Sequence, residues 1–203
     1  MPKDPFNIII GGVGGQGNVL ASQILGRVLV AGGRVVTIGE TYGASQRGGP
    51  VMSHLRVSAG DPFSPLIPEG QCDLLVSLEP VEALRILGRY GNPAVQVLTN
   101  VRTVQPLDVL SGDASYPELD TVLAALGSLS RRLWRINATE IALEMGDPIL
   151  ANMVILGALA HLEVLPFTRR AFQGALEGVL PDSRMEENLD AFDRGARAVE
   201  ELV

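Results

Sequence analysis

Apolar residues fall into two rhythms along the chain, one of short unbroken runs and one of helical spacing. Residues 7–11 form a continuous apolar run, the mark of a strand covered on both faces. From about Gln16 to Ala31, the residues Val19, Leu20, Ile24, Val28 and Val30 recur at helical spacing, and Gly32-Gly33 stops the helix. Residues 35–38 predict a second buried strand. A glycine-rich polar loop follows, and "VMSHLRVS" then alternates, with Val51, Ser53, Leu55 and Val57 on one face.

Three prolines in "DPFSPLIPEG" predict an extended loop. "DLLVSL" reads as a third buried strand, followed by a helix from near Pro80 to Gly91. "AVQVLT" repeats the strand pattern, residues 101–117 are irregular, and "LWRINA" reads as the last strand. The remainder reads as helical. Asn137 with Glu140 three residues on is a capping-box pattern, and Asp147-Pro148 sets a cap before a proline at the first helical position. Thr168 and a segment near Asp182-Ser183 open two further helices, the last running to the C-terminus. Strand–helix alternation followed by a helical C-terminal part predicts a three-layer α/β/α sandwich over one domain, residues 1–203.

Composition narrows the partners. The net charge of −7 argues against nucleic acid or an anionic membrane as partner, while leaving room for a local anion site. The single cysteine, Cys72, excludes an intrachain disulfide and an all-cysteine iron–sulfur cluster within the chain, and suits a reducing compartment. His54 and His161 stand far apart, so no metal-ligand spacing is evident. The longest apolar window, "ILANMVILGALAHL", is too short and interrupted to span a bilayer, and no leader pattern precedes the first strand. The expected location is cytoplasmic.

The chemistry concentrates in two loops. Gly12-x-Gly14-x-x-Gly17 lies between a predicted strand and helix, with Glu40 about twenty residues downstream, as in a Rossmann-like dinucleotide fingerprint. Glycines there let the backbone approach an anion, and the helix start offers free N–H groups. The ten residues "TYGASQRGGP" after Glu40 are too few for a βαβ crossover, so the next strand makes a mostly parallel sheet mixed. No separate substrate domain fits either. A nicotinamide enzyme is thereby demoted, and a free-standing module binding NAD or another adenine nucleotide, with Glu40 on the ribose, stays as an alternative. In the second loop, Ser45, Gln46 and Arg47 place a hydroxyl, an amide and a guanidinium in succession before Gly48-Gly49. Arg47 can fork two hydrogen bonds to a carboxylate or phosphate.

"GVGGQGNVLAS" followed by "GETYGASQRGGPVMSHLRV" resembles the gamma-type subunit of 2-oxoacid:ferredoxin oxidoreductases and, within that group, the smaller, beta-type subunit of indolepyruvate ferredoxin oxidoreductases. "DLLVSLEPVEALR", Asn100, "NATEIALEMGDPILANMVILGAL" and "NLDAFDRG" extend the likeness over nearly the whole chain. The resemblance implies a larger partner subunit holding thiamine diphosphate and iron–sulfur clusters. The complex would decarboxylate a 2-oxoacid oxidatively, with coenzyme A and ferredoxin, to an acyl-CoA and carbon dioxide. This chain would be inactive alone. Carried over residue by residue, the implied ligand-binding positions are Gly12, Gly14, Gly15, Gln16 and Gly17, then Glu40, Ser45, Gln46, Arg47, Gly48 and Gly49. Arg47 is the catalytic candidate. Tyr42, Ala44 and Pro50 replace the histidine, methionine and serine of the family pattern, which leaves the identity of the 2-oxoacid open. A structural cover that keeps water from the partner's active site is a third reading.

Other polar residues carry plainer expectations. His54 lies opposite Val51 and Leu55 and reads as a satisfied structural histidine; His161, in an apolar helix, reads as core or interface. Trp134 among Arg131, Arg132 and Arg135 reads as strand-edge packing rather than a binding patch. Asn152 needs a hydrogen-bond partner if buried, most simply the backbone. Cys72 reads as inert.

Overall fold

Continuous apolar runs need cover on both faces, and the sheet supplies it. The computed structural model describes residues 3–43, 49–105, 109 and 115–203. The central strand, β1 (Phe6–Val13), is buried along its whole length. Helix α1 (Asn18–Ala31) leads to the edge strand β2 (Val35–Tyr42), which turns back into β3 (Pro50–Ser58). On the other side of β1 lie β4 (Leu74–Ser77), helix α2 (Pro80–Tyr90), β5 (Gln96–Asn100), helix α3 (Leu119–Leu129) and β6 (Arg132–Ile136). The C-terminal part holds α4 (Ala138–Glu144), α5 (Ala151–His161), α6 (Arg169–Leu176), α7 (Met185–Ala198) and a two-residue strand, β7 (Glu200–Glu201).

The sheet order is β2-β3-β1-β4-β5-β6-β7. Strands β4, β5 and β6 run parallel with β1, whereas β3 is antiparallel to both β1 and β2, and β7 is antiparallel to β6. The sheet is therefore mixed and mostly parallel, as the short connection after Glu40 requires. One face carries Ile8, Ile10, Leu55, Val76 and Leu98 against α1 and the C-terminal helices. The other carries Ile9, Leu75, Val97 and Leu133 against α2 and α3. This is a three-layer α/β/α sandwich.

Local chemistry explains the helix starts. The Asn137 side chain accepts from Glu140 N, that of Asp147 from Ile149 N, and that of Thr168 from Ala171 N. Each satisfies one orphan N–H of a first turn. Asp147-Pro148 opens a 3-10 turn that runs straight into α5. The Arg184 guanidinium beside Asp147 holds that carboxyl below its usual range.

Four expectations need correction. The last helix stops at Ala198, and Glu200 and Glu201 pair with Arg135 and Trp134 on β6, so "LWRINA" is not the last strand. Ion pairs from Arg132 to Glu201 and Arg135 to Glu200 hold this latch. Helix α3 fills a stretch for which the pattern had suggested no element. Val30 does not join the buried stripe of α1 but is 54% exposed. His161 is exposed in the last turn of α5, so it is not a core residue.

Buried polar residues mostly find partners. Trp134 is buried, with Arg132 stacked 4.5 Å over its ring. Cys72 is buried, and burial pushes its thiol up to about 12. His54 is fully buried; its Nδ1 accepts from Ile67 N at 3.4 Å, and its ring meets Tyr90 edge-on. Its Nε2 has no hydrogen-bond partner among the described residues. Burial first, then the Arg89 charge, lowers the His54 pKa. The folded protein thus keeps the imidazole neutral at a pH where the unfolded chain already binds the proton. Stability is full above about pH 6.5 and falls as the pH drops toward the depressed folded value. Thermal melts across that window are expected to show the decline, and His54→Gln is expected to flatten it.

Candidate functional site

The carboxyl ends of the parallel strands form one rim, and both glycine loops leave from it. Helix α1 lies on one face and α2 on the other, so the strand order reverses between β1 and β4. That switch point is where open α/β sheets bind ligands. Here it is tied by side chains. Gln16 Oε1 accepts from Val13 N at 2.7 Å, and its Nε2 donates to Leu78 O at 3.1 Å. Asn100 Nδ2 donates to the same Leu78 oxygen, and its Oδ1 accepts from Ala138 N. The Gln16 amide therefore bridges β1 to β4 rather than projecting outward.

Gly12 allows this fold-back: a Cβ there would sit 2.6 Å from Gln16 Oε1 and 2.9 Å from Asn18 Oδ1. Gly17 opens α1 with φ +81°, and a Cβ on it would lie 2.3 Å from Asn152 Nδ2. Asn152, 1% exposed, in turn donates to Gly17 O at 3.5 Å, the backbone partner its burial demands. Gly15 has φ +100° and open space around it. The first turn of α1 has no side-chain cap and no acid. Its orphan N–H groups face the rim at the helix's positive end.

The second loop is anchored against the first. Gly14 N donates to Gly49 O at 2.9 Å, and Gly43 N to Pro50 O at 2.9 Å. Val13 stands opposite Pro50 in register. Gly49, where the second loop rejoins the described residues, thus lies beside the Gly12–Gly17 turn. Ser45, Gln46, Arg47 and Gly48, with Ala44, lie outside the described residues.

Glu40 is placed differently from a dinucleotide enzyme's ribose acid. Strand β3 is inserted between β1 and β2, so Glu40 stands two strand spacings, about 10 Å, from the glycine turn. Its carboxylate accepts from the Tyr42 hydroxyl, and that hydrogen bond raises the phenol's pKa.

Two rim features were not singled out from sequence. Glu79, 1% exposed, caps α2 through Glu82 N at 2.7 Å and also accepts from the Tyr116 hydroxyl. Burial and this carboxylate push the Tyr116 phenol above its usual range. An acid just before Pro80 was the available signal, but its burial depends on a segment distant in sequence. A cleft of about 260 Å³ opens between the end of the β2–β3 hairpin and α2, lined among others by Tyr42, Pro50, Met52, Arg85, Ile86 and Tyr90. Burial raises the pKa of Glu82 at its edge, against the Arg85 charge paired with it. Among the described residues no group of three or more His, Cys, Asp or Glu side chains could hold a metal ion, and no helix is long and apolar enough to cross a membrane.

The comparisons with known proteins place the chain in a family. The family model described as pyruvate ferredoxin/flavodoxin oxidoreductase matches residues 7–198. The chain belongs to that family. Among curated members, it is 38% identical to indolepyruvate oxidoreductase subunit IorB of Archaeoglobus fulgidus, over 94% of this chain and 93% of that one. It is 34% identical to the IorB of Pyrococcus horikoshii over 98% of both. Other members named as subunits include the 2-oxoglutarate synthase subunit KorC of Methanocaldococcus jannaschii, 29% identical over 96% of this chain and 94% of that one. The fold matches pyruvate oxidoreductase subunit PORC of Thermotoga maritima with a TM-score of 0.74, 22% identity, and coverage of 99% of this chain and 100% of that one. It also matches 31% of a longer chain of the 2-oxoglutarate:ferredoxin oxidoreductase of Magnetococcus marinus, solved with 2-oxoglutarate, coenzyme A and succinyl-CoA bound, with a TM-score of 0.72 and 20% identity over 96% of this chain. The family's relatives are thus subunits of 2-oxoacid oxidoreductases.

Proposed function

We propose that this chain is the cluster-free subunit of a 2-oxoacid:ferredoxin oxidoreductase acting on indolepyruvate or another aryl pyruvate. The observation that carries this reading is the near-full-length identity to IorB subunits, 34–38%, in a chain whose only thiol is buried. A larger partner subunit would hold thiamine diphosphate and the iron–sulfur clusters and pass electrons to ferredoxin. The residues here do not fit a cluster: four thiolates are usual, and Cys72 is one. The single protected thiol also fits a cytoplasmic setting.

The rim fits coenzyme A better. Pyrophosphate suits an uncapped helix N-terminus beside Gly14, Gly15 and Gly17, and Arg47 adds a fork for phosphate or carboxylate. Coenzyme A supplies the thiol that accepts the acyl group. This chain's part is to bind and orient the cofactor's anionic groups where the partner's chemistry occurs. The Gln16–Leu78 and Asn100–Leu78 ties keep that rim rigid.

The adenine-nucleotide alternative loses its ribose contact because β3 separates Glu40 from the turn. Co-expression with the large subunit tests the proposal: coenzyme A-dependent reduction of a low-potential acceptor is expected with aryl pyruvates. Full activity from the large subunit alone would overturn it. Calorimetry of the isolated chain with NAD is expected to be silent.

A further inference from the structure

The two edges of the sheet are treated unequally. The β6 edge is closed by β7 and its two ion pairs. Among the described residues no strand pairs with the outer edge of β2, which runs over eight residues with no proline and a single charge, Glu40. Open edges of this length are normally blunted. Three of the exposed large apolar residues, Val30, Tyr42 and Leu66, lie on β2 or on the elements packed beside it. A groove of about 510 Å³ between α1 and β2 is lined by Gly26, Arg27, Val30, Ala31, Val36 and Ile38.

We propose that the β2 edge pairs antiparallel with β2 of a second copy of this chain, about a two-fold axis at Thr37. Register narrows the choice. Opposed residues in an antiparallel pair share one hydrogen-bonding state, and that state alternates along a strand. Two identical strands therefore pair only with some residue facing its own copy. With Thr37 facing Thr37, Val36 faces the partner's Ile38 and Arg34 faces the partner's Glu40, each pair occurring twice. Val36, Ile38 and Glu40 share one face, since they stand opposite Val57, Leu55 and Ser53 on β3. An axis at Ile38 sets Glu40 against Val36, and one at Val36 sets Arg34 against Ile38. Both lose the charge match. Neither Arg34 nor Glu40 makes an ion pair among the described residues. The pairing also brings the two apolar grooves, with Val30 on their rims, toward the same axis.

Sedimentation of the full chain is expected to give twice its 21.5 kDa mass. Arg34→Glu and Glu40→Arg are each expected to weaken the dimer about tenfold, because two like-charge pairs replace two opposite ones. The double exchange R34E/E40R is expected to restore it. Should the single variants fold poorly, Thr37→Cys decides the matter: mild oxidation is expected to cross-link it across the axis, while Thr41→Cys, off the axis, stays uncoupled. Cys72, buried, does not interfere. A monomeric chain, an unrestored double exchange, or cross-linking at position 41 in place of 37 would overturn the proposal. So would a monomer whose β2 variants lose the large subunit, since the edge would then belong to that partner.

Discussion

Gly195→Ala is expected to destabilise the fold by about 3 kcal/mol or more, the upper range for overpacking a closed core. Helices α5 and α7 cross with almost no gap. A Cβ on Gly195 would sit 1.8 Å from Val154 O, and one on Gly157 would sit 1.9 Å from Phe192 O. Both obstacles are backbone, so no rotamer change relieves them. The helices would have to part by on the order of an ångström or more, which loosens close-packed contacts along their whole length. Phe192, stacked 4.3 Å from Phe172, lies directly in that seam. Gly174→Ala in α6 is the matched control: it has open space around it, so better helix propensity should leave it neutral or slightly stabilising. Urea midpoints compare the three proteins. Equal midpoints for Gly195→Ala and wild type would mean the crossing is looser than described.

Arg47→Ala is expected to lower turnover of the assembled enzyme by on the order of a hundredfold, or ~3 kcal/mol for one lost preorganised donor. The loop carrying Arg47 is pinned at its ends by the Gly43–Pro50 and Gly14–Gly49 hydrogen bonds. The Arg47 guanidinium offers a two-pronged donor for a phosphate or carboxylate. Arg47→Lys keeps the charge but loses the fork, so it is expected to recover only part of the rate. Steady-state kinetics with coenzyme A as the varied substrate separates a binding role from one in the chemical step. Wild-type kinetics in Arg47→Ala would reduce the loop to scaffold.

The middle of the sheet was legible because β1, β4 and β5 are covered on both faces and read as unbroken apolar runs; β2 reads the same way, yet it is a half-buried edge strand rather than a buried one. The mixed topology followed from arithmetic, since ten residues cannot make a crossover. Features set by distant partners were not legible. Glu200 and Glu201 look like one more helical turn until Arg132 and Arg135, far back in the chain, draw them into the sheet. Helix α3 carries Val122, Leu123 and Leu126 at helical spacing, but it is short and directly follows the irregular tract. Val30 fits the helical repeat, but α1 ends at the open edge, where no layer covers that side. Gly157 and Gly195 looked like ordinary helix glycines; only the crossing shows why a side chain is excluded. In the candidate site, the glycine turn was readable from its motif. The inward role of Gln16 was not, because its partner Leu78, just past the end of β4, is some sixty residues away.

Gly15 offers the most direct test of the rim as an anion cradle. It is exposed and has open space around it, so Gly15→Asp adds a negative charge beside the α1 N-terminus without a clash, though φ +100° adds local strain. Gly15→Asn carries the same strain without the charge. Calorimetric titration of coenzyme A into the assembled complex is the measurement. The account predicts at least about a tenfold weaker affinity for Gly15→Asp than for Gly15→Asn, with both complexes intact. Equal affinity in the two would contradict it.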